Sequence, residues 1–411
     1  MAKINFKLYS LGCKVNHYDG ANLQKLLLSA GFDIGLKPNF VVINTCSVTK
    51  KAILKDKQLI KKIKKENPGA RLVIMGCWPQ TAIVGDDIIA GNKAIIWGVG
   101  NLNGLVKKLV AEFKPVLKTK DKKNNSSLVL SDRSRYFLKV ADGCNQFCSY
   151  CIIPHARGRL KSRALGSLLK EAREASKAGY REIVLCGIHL GRYGEDKKTT
   201  KINLSNLIEE LLKIKDLGRI RLSSIEINEV NSDLIKLIAR ESRICKHLHI
   251  SLQSGSTKIL RLMNRPYTAA YYKNQVAKIR EQIPEIAIST DIIVGFPQES
   301  EADFTATYEF AKALNFSKIH VFPFSAHEIT AAYHLDGKIN KNIINERARI
   351  LRNLSLKQEK KYQADIKKAY KNKPFNLIVE KSDVPGKIRA KTEFGFDVYL
   401  NEREAKKHNF I

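Results

Sequence analysis

The sequence predicts an α/β protein made of an N-terminal open parallel sheet, a central partial (β/α)6 barrel and a small C-terminal β module. The chain has 411 residues, a length that predicts about two or three domains. Its composition, 44% hydrophobic and 27% charged, is that of a folded globular protein. Short apolar runs alternate with amphipathic helical stretches, a pattern typical of parallel sheets.

The first alternating stretch is assigned to residues 1–117. Its predicted strands are Lys3–Leu11, Phe40–Asn44, Leu72–Met75 and Ile95–Gly98. Helices are predicted at Tyr18–Ala30, ending at Gly31, and at Lys50–Glu66, ending before Asn67-Pro68-Gly69. The polar segment 118–131, rich in Lys, Asn and Ser, is predicted to be a linker.

The second alternating stretch is assigned to residues 132–360. Its six predicted strands are Tyr136–Val140, Glu182–Cys186, Arg219–Ser223, His247–Ser251, Ala287–Ile293 and Ile319–Phe322. Helices between them include Leu168–Ala178 and Asp303–Leu314. Six strands separated by helices favour a full or partial (β/α) barrel, with a doubly wound sheet as the alternative.

The remaining residues, 361–411, are assigned to a short β module. A basic helix is predicted at Lys341–Tyr370, and it leads into the module. Three strands are predicted after Pro374, at Phe375–Glu380, Lys387–Lys391 and Asp397–Leu400.

The charge balance indicates a polyanionic partner. Lys and Arg number 72 against 40 Asp and Glu, so the formal net charge is +32. Because the basic residues are spread along the chain rather than gathered on one amphipathic helix, nucleic acid is favoured over a membrane surface. No apolar run reaches the ~20 residues of a membrane helix, and the first residues do not resemble a signal peptide. We therefore expect a cytoplasmic protein whose eight cysteines are ligands or buried thiols.

Three of the cysteines form a C-x3-C-x2-C motif, namely Cys144, Cys148 and Cys151. They follow the first predicted barrel strand, and barrel enzymes place their chemistry at that end of the strands. Three thiolates leave one position of a metal centre open, as a catalytic site requires. The alternatives are a structural zinc site completed by His155, or three unrelated buried cysteines.

Three more cysteines each follow a predicted strand of the N-terminal sheet: Cys13, Cys46 and Cys77. Any one of them alone would be interpreted as a buried structural thiol. Because parallel strands lie ~5 Å apart and end at the same edge, the three can converge there.

With an aromatic residue, Tyr150, before its last cysteine, the first motif resembles the radical S-adenosylmethionine (SAM) superfamily. The two triads together resemble the methylthiotransferases of that superfamily. Further matches are Ser223–Glu226, Leu252–Ser256, Met263–Arg265 and Thr290–Pro297. The resemblance implies two [4Fe–4S] clusters, one on each triad. It also implies SAM as both radical source and methyl donor, with Cys144, Cys148 and Cys151 as the catalytic cluster ligands.

The resemblance also suggests residues for the SAM pocket: Tyr150, Gly187, His189, Glu226, Arg265 and Val294. Four of them have a structural alternative, namely a hydrogen-bonded histidine for His189, a loop ion pair for Glu226, a solvated helix-end residue for Arg265 and strand core for Val294. The last two cysteines, Cys186 and Cys245, are interpreted as structural thiols.

Three substrate classes compete within the family: tRNA carrying threonylcarbamoyladenosine, tRNA carrying isopentenyladenosine, and an aspartate of a ribosomal protein. The sequences around Cys13 and Cys151 are most similar to the first class. This implies sulfur and methyl insertion at C2 of the adenosine by a monomer that uses an electron donor and a sulfur source. Arg157, Arg159 and Arg163 are candidate partners for the threonylcarbamoyl carboxylate. A non-catalytic RNA-binding protein with two zinc sites is the alternative of another class.

Overall fold

The computed structural model describes residues 3–82, 94–116, 134–197 and 202–410. The chain divides into two compact units. The first comprises Met1–Asp132, Asp142–Gln146 and Cys151–Leu160, and the second comprises Arg133–Ala141, Phe147–Tyr150 and Lys161–Ile411. In the parts of the chain that the structure describes, no helix combines the length and apolarity that crossing a membrane requires.

The first unit contains a five-stranded parallel sheet in the order β2-β1-β3-β4-β5. Its strands are β1 (Asn5–Ser10), β2 (Asp33–Ile34), β3 (Phe40–Thr45), β4 (Arg71–Gly76) and β5 (Ile95–Ile96). Its helices are α1 (Lys14–Ser29), α2 (Lys50–Glu66), α3 (Cys77–Thr81) and α4 (Leu102–Phe113). The predicted open parallel sheet is confirmed, and α2 has the predicted bounds.

Both faces of this sheet are covered, which explains why β3 is buried throughout. Phe40 and Val42 point to one face, where they pack with residues of α1 and α4 such as Leu23 and Leu105. Val41 and Ile43 point to the other face, where the core contains residues of α2, namely Ile60 and Ile63. With its helices packed on both sides, the sheet holds the ends of β1, β3 and β4 side by side.

The second unit contains the barrel strands and the C-terminal module. Its strands are β6 (Tyr136–Asp142), β7 (Lys161–Ser162), β8 (Glu182–Gly187), β9 (Arg219–Leu222), β10 (Ser224–Ile225), β11 (His247–Ile250), β12 (Ala287–Val294) and β13 (Lys318–Pro323). Its helices are α6 (Leu165–Lys177), α7 (Leu204–Leu212), α8 (Ser232–Arg240), α9 (Thr257–Leu262), α10 (Ala269–Gln282), α11 (Glu301–Leu314) and α12 (Lys341–Ala369). The short helix α5 (Ile153–Arg157) belongs to the first unit.

The strands form two four-stranded sheets, β7-β6-β8-β9 and β10-β11-β12-β13. The stretch 219–225 belongs to both, because β9 pairs with β8 and β10 pairs with β11, in each case in parallel. A parallel bridge between Ile220 and Ile244 also lies at this junction. The six long strands therefore follow one another in chain order, so the partial barrel is confirmed over the doubly wound alternative.

The C-terminal module is a four-stranded sheet in the order β16-β15-β14-β17. Its elements are β14 (Asn376–Glu380), β15 (Ile388–Thr392), β16 (Asp397–Leu400), α13 (Glu402–Ala405) and β17 (Asn409–Phe410). The three predicted strands are present, and β17 is an addition that pairs in parallel with β14. Phe375, Phe394 and Phe396 form its aromatic core with Tyr370 at the end of the long helix.

The predicted linker, 118–131, lies outside the described residues. The two ends of the loop that carries the central cysteine motif, Asp142–Gln146 and Cys151–Leu160, group with the first unit rather than with the barrel. The assigned ranges 132–360 and 361–411 form one compact unit with the exception of those loop ends.

Candidate functional site

The first triad lies at one edge of the N-terminal sheet. Cys13 caps α1, Cys46 directly follows β3 and Cys77 begins α3 directly after β4. Cys46 and Cys77 are buried, whereas Cys13 is exposed. Burial raises the pKa of the Cys46 thiol to about 12, and the nearby Cys77 and Cys13 thiols add to the rise. The three thiols are thus close enough to act on one another electrostatically, and their binding of a cluster stays a prediction.

Backbone geometry brings the chain close around Cys46. Gly12 has φ +91°, and a Cβ there would lie 2.8 Å from Cys46 Cβ and 2.9 Å from its Sγ. Only glycine fits this position without strain, since the conformation is left-handed and the approach is close. The backbone N–H of Cys46 donates to the buried carboxylate of Asp56, at 2.9 Å.

A buried guanidinium contacts the third thiol of this set. Arg157, the last residue of α5, donates from Nε to Cys77 Sγ at 3.3 Å. Its Nη1 donates to Asp19 at 3.0 Å and to Asp142 at 3.0 Å, and its Nη2 donates to Asn16 Oδ1 at 3.0 Å. The sequence analysis offered Arg157 as a substrate cation, and these four contacts show that it is already engaged.

The ends of the central cysteine loop are fixed within the same unit. The backbone N–H of Cys144 donates to Gly158 O at 3.0 Å, and the N–H of Gln146 donates to Cys144 Sγ at 3.3 Å. Gly143 has φ +69°, and a Cβ there would lie 2.0 Å from Arg159 O. Glycine is therefore required where this loop doubles back beside Cys144.

The middle of that loop, which belongs to the second unit, is held by the Met263–Arg265 segment. Ser149 N–H donates to Met263 O at 3.1 Å, and Asn264 Nδ2 donates to Phe147 O at 2.8 Å. Tyr150 packs on an apolar cluster that includes Met263, Ile259 and Phe296. The Met263–Arg265 segment therefore has a structural role, because it holds the middle of the loop that carries the cysteine motif.

Arg265 also donates to a cysteine sulfur, from Nη1 to Cys148 Sγ at 3.3 Å. Its side chain is 2% exposed and is further bound to the carboxylate of Glu226 and to Tyr267 Oη. The structure thus brings together Arg265, Glu226 and Cys148. The guanidinium of Arg265 is bound to these protein groups. Burial raises the pKa of Glu226, and the nearby guanidinium opposes the rise.

Three further residues were predicted to line the SAM pocket, namely His189, Gly187 and Val294. His189 is buried and its Nε2 lies 2.5 Å from Glu229 Oε1, and Glu229 also accepts the backbone N–H of Glu226. This places His189 in the same network as Glu226. Gly187 ends β8 and is half-buried. Val294 has no exposed surface, and its contact with SAM stays a prediction.

The residue before it, Ile293, is half-buried and packs with the same cluster as Tyr150. The two remaining cysteines, Cys186 and Cys245, are 1% and 2% exposed. His155 is exposed on α5. Within the described residues, no three Cys, His, Asp or Glu side chains converge closely enough to hold a single metal ion.

The partners of the Arg157 and Arg265 guanidinium groups were not predicted from the sequence. Asn16 and Asp19 follow Cys13 by three and six residues on α1, a spacing that places them on one helix face. That signal could have identified them. Tyr267 and Glu229 carry no comparable signal, because they reach the network through irregular segments of the chain.

Comparison with known proteins identifies the family. Residues 138–311 match the family model described as Radical SAM superfamily, and residues 5–96 match that described as Uncharacterized protein family UPF0004. The threonylcarbamoyladenosine tRNA methylthiotransferase MtaB of Bacillus subtilis is 36% identical over 398 residues, covering 93% of this chain and 86% of the relative. The chain belongs to the radical SAM methylthiotransferase family. It is therefore an enzyme, with SAM and [4Fe–4S] clusters as cofactors.

Other relatives show the same relationship. MtaB of Aquifex aeolicus is 37% identical, with coverage of 86% of this chain and 88% of the relative. A tRNA-2-methylthio-N(6)-dimethylallyladenosine synthase of Clostridium tetani is 32% identical, with coverage of 89% and 85%. The family thus includes relatives named for two different modified adenosines.

Solved structures share the fold. The radical SAM methyltransferase TsrM from Kitasatospora setae, solved with cobalamin and a [4Fe–4S] cluster, superposes with a TM-score of 0.59 at 14% identity. The match covers 81% of this chain and 77% of TsrM. The cobalamin-dependent radical SAM enzyme OxsB superposes with a TM-score of 0.54 at 12% identity, over 97% of this chain and 65% of OxsB. At these identities the likeness concerns the fold alone.

The residues of both triads fit iron–sulfur clusters. Each set offers three thiols, and in each a buried guanidinium donates to a cysteine sulfur. Hydrogen bonds to the sulfurs are among the interactions that stabilise such clusters and set their potentials. Cys13, Cys46 and Cys77 would hold one cluster, and Cys144, Cys148 and Cys151 the other.

Proposed function

We propose that this protein inserts sulfur and a methyl group at C2 of N6-threonylcarbamoyladenosine next to the anticodon of tRNA. The observation that carries the proposal is the 36–37% identity to threonylcarbamoyladenosine tRNA methylthiotransferases over most of the chain. Dimethylallyladenosine synthases match at 31–32%. The net charge of +32 supports an RNA substrate, since phosphate neutralisation supplies most sequence-independent affinity.

A [4Fe–4S] cluster held by Cys144, Cys148 and Cys151 supplies, when bound, the electron that cleaves SAM. The protein's own side chains hold Cys148 in position. Arg265 fixes Cys148 through the N–H···S bond, and Glu226 and Tyr267 fix Arg265 in turn. Tyr150, one residue before Cys151, is held by packing on the apolar cluster of Ile259, Met263 and Phe296.

The threonylcarbamoyl group carries a carboxylate, whose burial requires a cation or several donors. Among the three candidate arginines, Arg157 and Arg163 are already bound to carboxylates, those of Asp142 and Glu171 respectively. Arg159 is exposed, and its side chain has no hydrogen-bond or ion-pair partner among the described residues. We assign Arg159 to the substrate carboxylate.

The test uses purified enzyme and two tRNAs, each carrying only one of the two adenosine modifications. We expect methylthio product from the threonylcarbamoyl tRNA, measured by mass spectrometry of nucleosides. The Arg159→Gln variant should raise KM for this tRNA, while the control Arg173→Gln, which removes an exposed arginine of α6, should leave KM unchanged. Product from the isopentenyl tRNA alone would overturn the substrate assignment and leave the reaction class intact.

The two triads are proposed to serve separable steps. Replacing Cys144, Cys148 and Cys151 by alanine should abolish formation of 5′-deoxyadenosine from SAM. Replacing Cys13, Cys46 and Cys77 should leave 5′-deoxyadenosine measurable but abolish the methylthio product. An N-terminal variant that thiomethylates tRNA at the normal rate would contradict this division. The proposal also includes a cytoplasmic monomer that depends on an electron donor and a sulfur source.

A further inference from the structure

Arg157 is buried at the centre of a charged cluster within the first compact unit. Its side chain is 0% exposed, and all of its polar contacts are to that unit. The guanidinium is shared between the sulfur of Cys77 and the carboxylates of Asp19 and Asp142, with Asn16 completing the set. A planar guanidinium presents its donors in a fixed fork, so these four partners are held in one geometry.

Burial disfavours an uncompensated guanidinium charge. Two carboxylates, those of Asp19 and Asp142, lie 3.0 Å from Nη1 of Arg157 and compensate it. The Nε of the same group lies 3.3 Å from Cys77 Sγ, so a positive charge is held directly beside this sulfur.

The cluster connects the two cysteine motifs along the chain. Asp142 is the last residue of β6 and lies two residues before Cys144. Asn16 and Asp19 lie on α1, which begins directly after Cys13. A single side chain therefore links the sulfur of Cys77, the helix that follows Cys13 and the segment that leads into the central cysteine loop.

We propose that Arg157 is a positioning residue that sets the reduction potential of the cluster held by Cys13, Cys46 and Cys77. A hydrogen bond to a ligand sulfur and a nearby buried cation both favour the more negatively charged, reduced state of a cluster. Arg157 supplies both. The inference rests on the proposed role of this triad as a cluster site, and it does not depend on which tRNA is the substrate.

The test uses the full chain with Cys144, Cys148 and Cys151 replaced by alanine, so that only the N-terminal triad can hold a cluster. After anaerobic reconstitution, the midpoint potential is measured by redox titration with electron paramagnetic resonance detection. In this background the midpoint potential of the protein with Arg157 is compared with those of the Arg157→Lys and Arg157→Gln variants. Loss of a charged hydrogen bond should change the one-electron equilibrium constant at least tenfold, so Arg157→Gln should lower the potential by about 59 mV or more.

Lysine keeps the positive charge but lacks the planar fork of guanidinium donors. The potential of Arg157→Lys should therefore lie between those of the parent protein and Arg157→Gln. The matched control is Arg163→Gln, which removes another arginine that is bound to a carboxylate, that of Glu171, and to the backbone oxygen of Lys139. It should lower stability without moving the potential. A potential unchanged in Arg157→Gln, or shifted equally in Arg163→Gln, would overturn the assignment.

A second variant tests the inference if the glutamine substitution prevents folding. Asp19→Asn removes a negative charge whose oxygen lies 3.0 Å from the guanidinium and leaves the contact to Cys77 in place. It should raise the potential, which is the opposite direction. A lowered or unchanged potential in this variant would contradict the role of Arg157. A parent protein with no iron at the N-terminal triad would overturn both this inference and the proposed cluster assignment.

Discussion

Replacement of Glu182 by glutamine should destabilise the second unit strongly and loosen its C-terminal module. Glu182 is the first residue of β8 and is 0% exposed. Its carboxylate binds Arg219 Nε at 2.5 Å and Arg221 Nε at 2.8 Å, and Arg135 Nη1 lies 3.6 Å away. Removing one partner of a buried charge pair costs about 3–5 kcal/mol, because the remaining charges are left uncompensated.

The same arginines hold the C-terminal module. Arg219 donates to the backbone oxygens of Asn376 and Lys391, and Arg221 donates to those of Thr392 and Glu393. Without Glu182, these guanidinium groups lose the carboxylate that orients them. We therefore expect faster hydrogen exchange in β14 and β15, measured by mass spectrometry of their peptides, together with a lower urea midpoint followed by circular dichroism.

The pH dependence gives a second signature. The arginines hold the pKa of Glu182 down to about 2, although burial opposes them. A carboxylate with a lowered folded-state pKa contributes stability that is present above its unfolded pKa and is lost as the pH falls through the folded value. The difference in stability between the natural protein and Glu182→Gln should therefore be full above about pH 5 and vanish toward about pH 2.

Glu380→Gln is the matched control, because Glu380 also pairs with Arg135, at 2.7 Å, but its side chain is 15% exposed. Partly solvated pairs contribute about 0–1 kcal/mol, so this variant should change little. Equal stability of Glu182→Gln and the natural protein at pH 7 would refute the reasoning, as would a difference that grows at low pH.

The remaining predictions concern the thiols and the RNA. Gly12→Ala should cost about 1–3 kcal/mol through backbone strain and reduce iron bound at the N-terminal triad, measured by elemental analysis. Gly69→Ala, where a Cβ meets open space, should retain full iron. Cys186 and Cys245 should resist iodoacetamide in the folded protein, since both are buried and burial raises the pKa of Cys245 to about 11. Reaction of either at the rate of a free thiol would contradict this. Affinity for tRNA should fall at least about tenfold between 50 and 200 mM salt in a filter-binding assay, and a salt-independent affinity would remove the charge argument.

The sequence was sufficient to predict the architecture, because the physical signals are local. Apolar runs bounded by Gly, Pro and Asn marked the strands, and α2 has its predicted bounds because Thr49 caps it and Asn67-Pro68 ends it. Four of the two-residue strands, β2, β7, β10 and β17, were missed because they are too short to show any periodicity, whereas β5 lies within the predicted strand Ile95–Gly98. Their pairing is determined by tertiary contacts.

The placement of Cys13, Cys46 and Cys77 at one edge of the first sheet was also predictable, because the ends of parallel strands meet there. That each triad holds a cluster stays a prediction. The charged networks were not predictable. The contacts of Arg265 to Cys148 and to Glu226, which is 39 residues earlier in the chain, carry no signal in the sequence, and its contact with a ligand stays a prediction. Val294 was assigned to the pocket from a motif, and the alternation of side chains along β12 buries it while leaving its neighbour Ile293 half-buried.

The iron content of three proteins tests the central claim most directly. After anaerobic reconstitution, the natural chain should hold about eight iron atoms and eight sulfides, as expected for two four-iron clusters. The variant without Cys13, Cys46 and Cys77 and the variant without Cys144, Cys148 and Cys151 should each hold about four. A Cys186→Ala, Cys245→Ala control should keep the full complement. Zinc without iron in the natural chain, or unchanged iron after loss of either triad, would contradict the account.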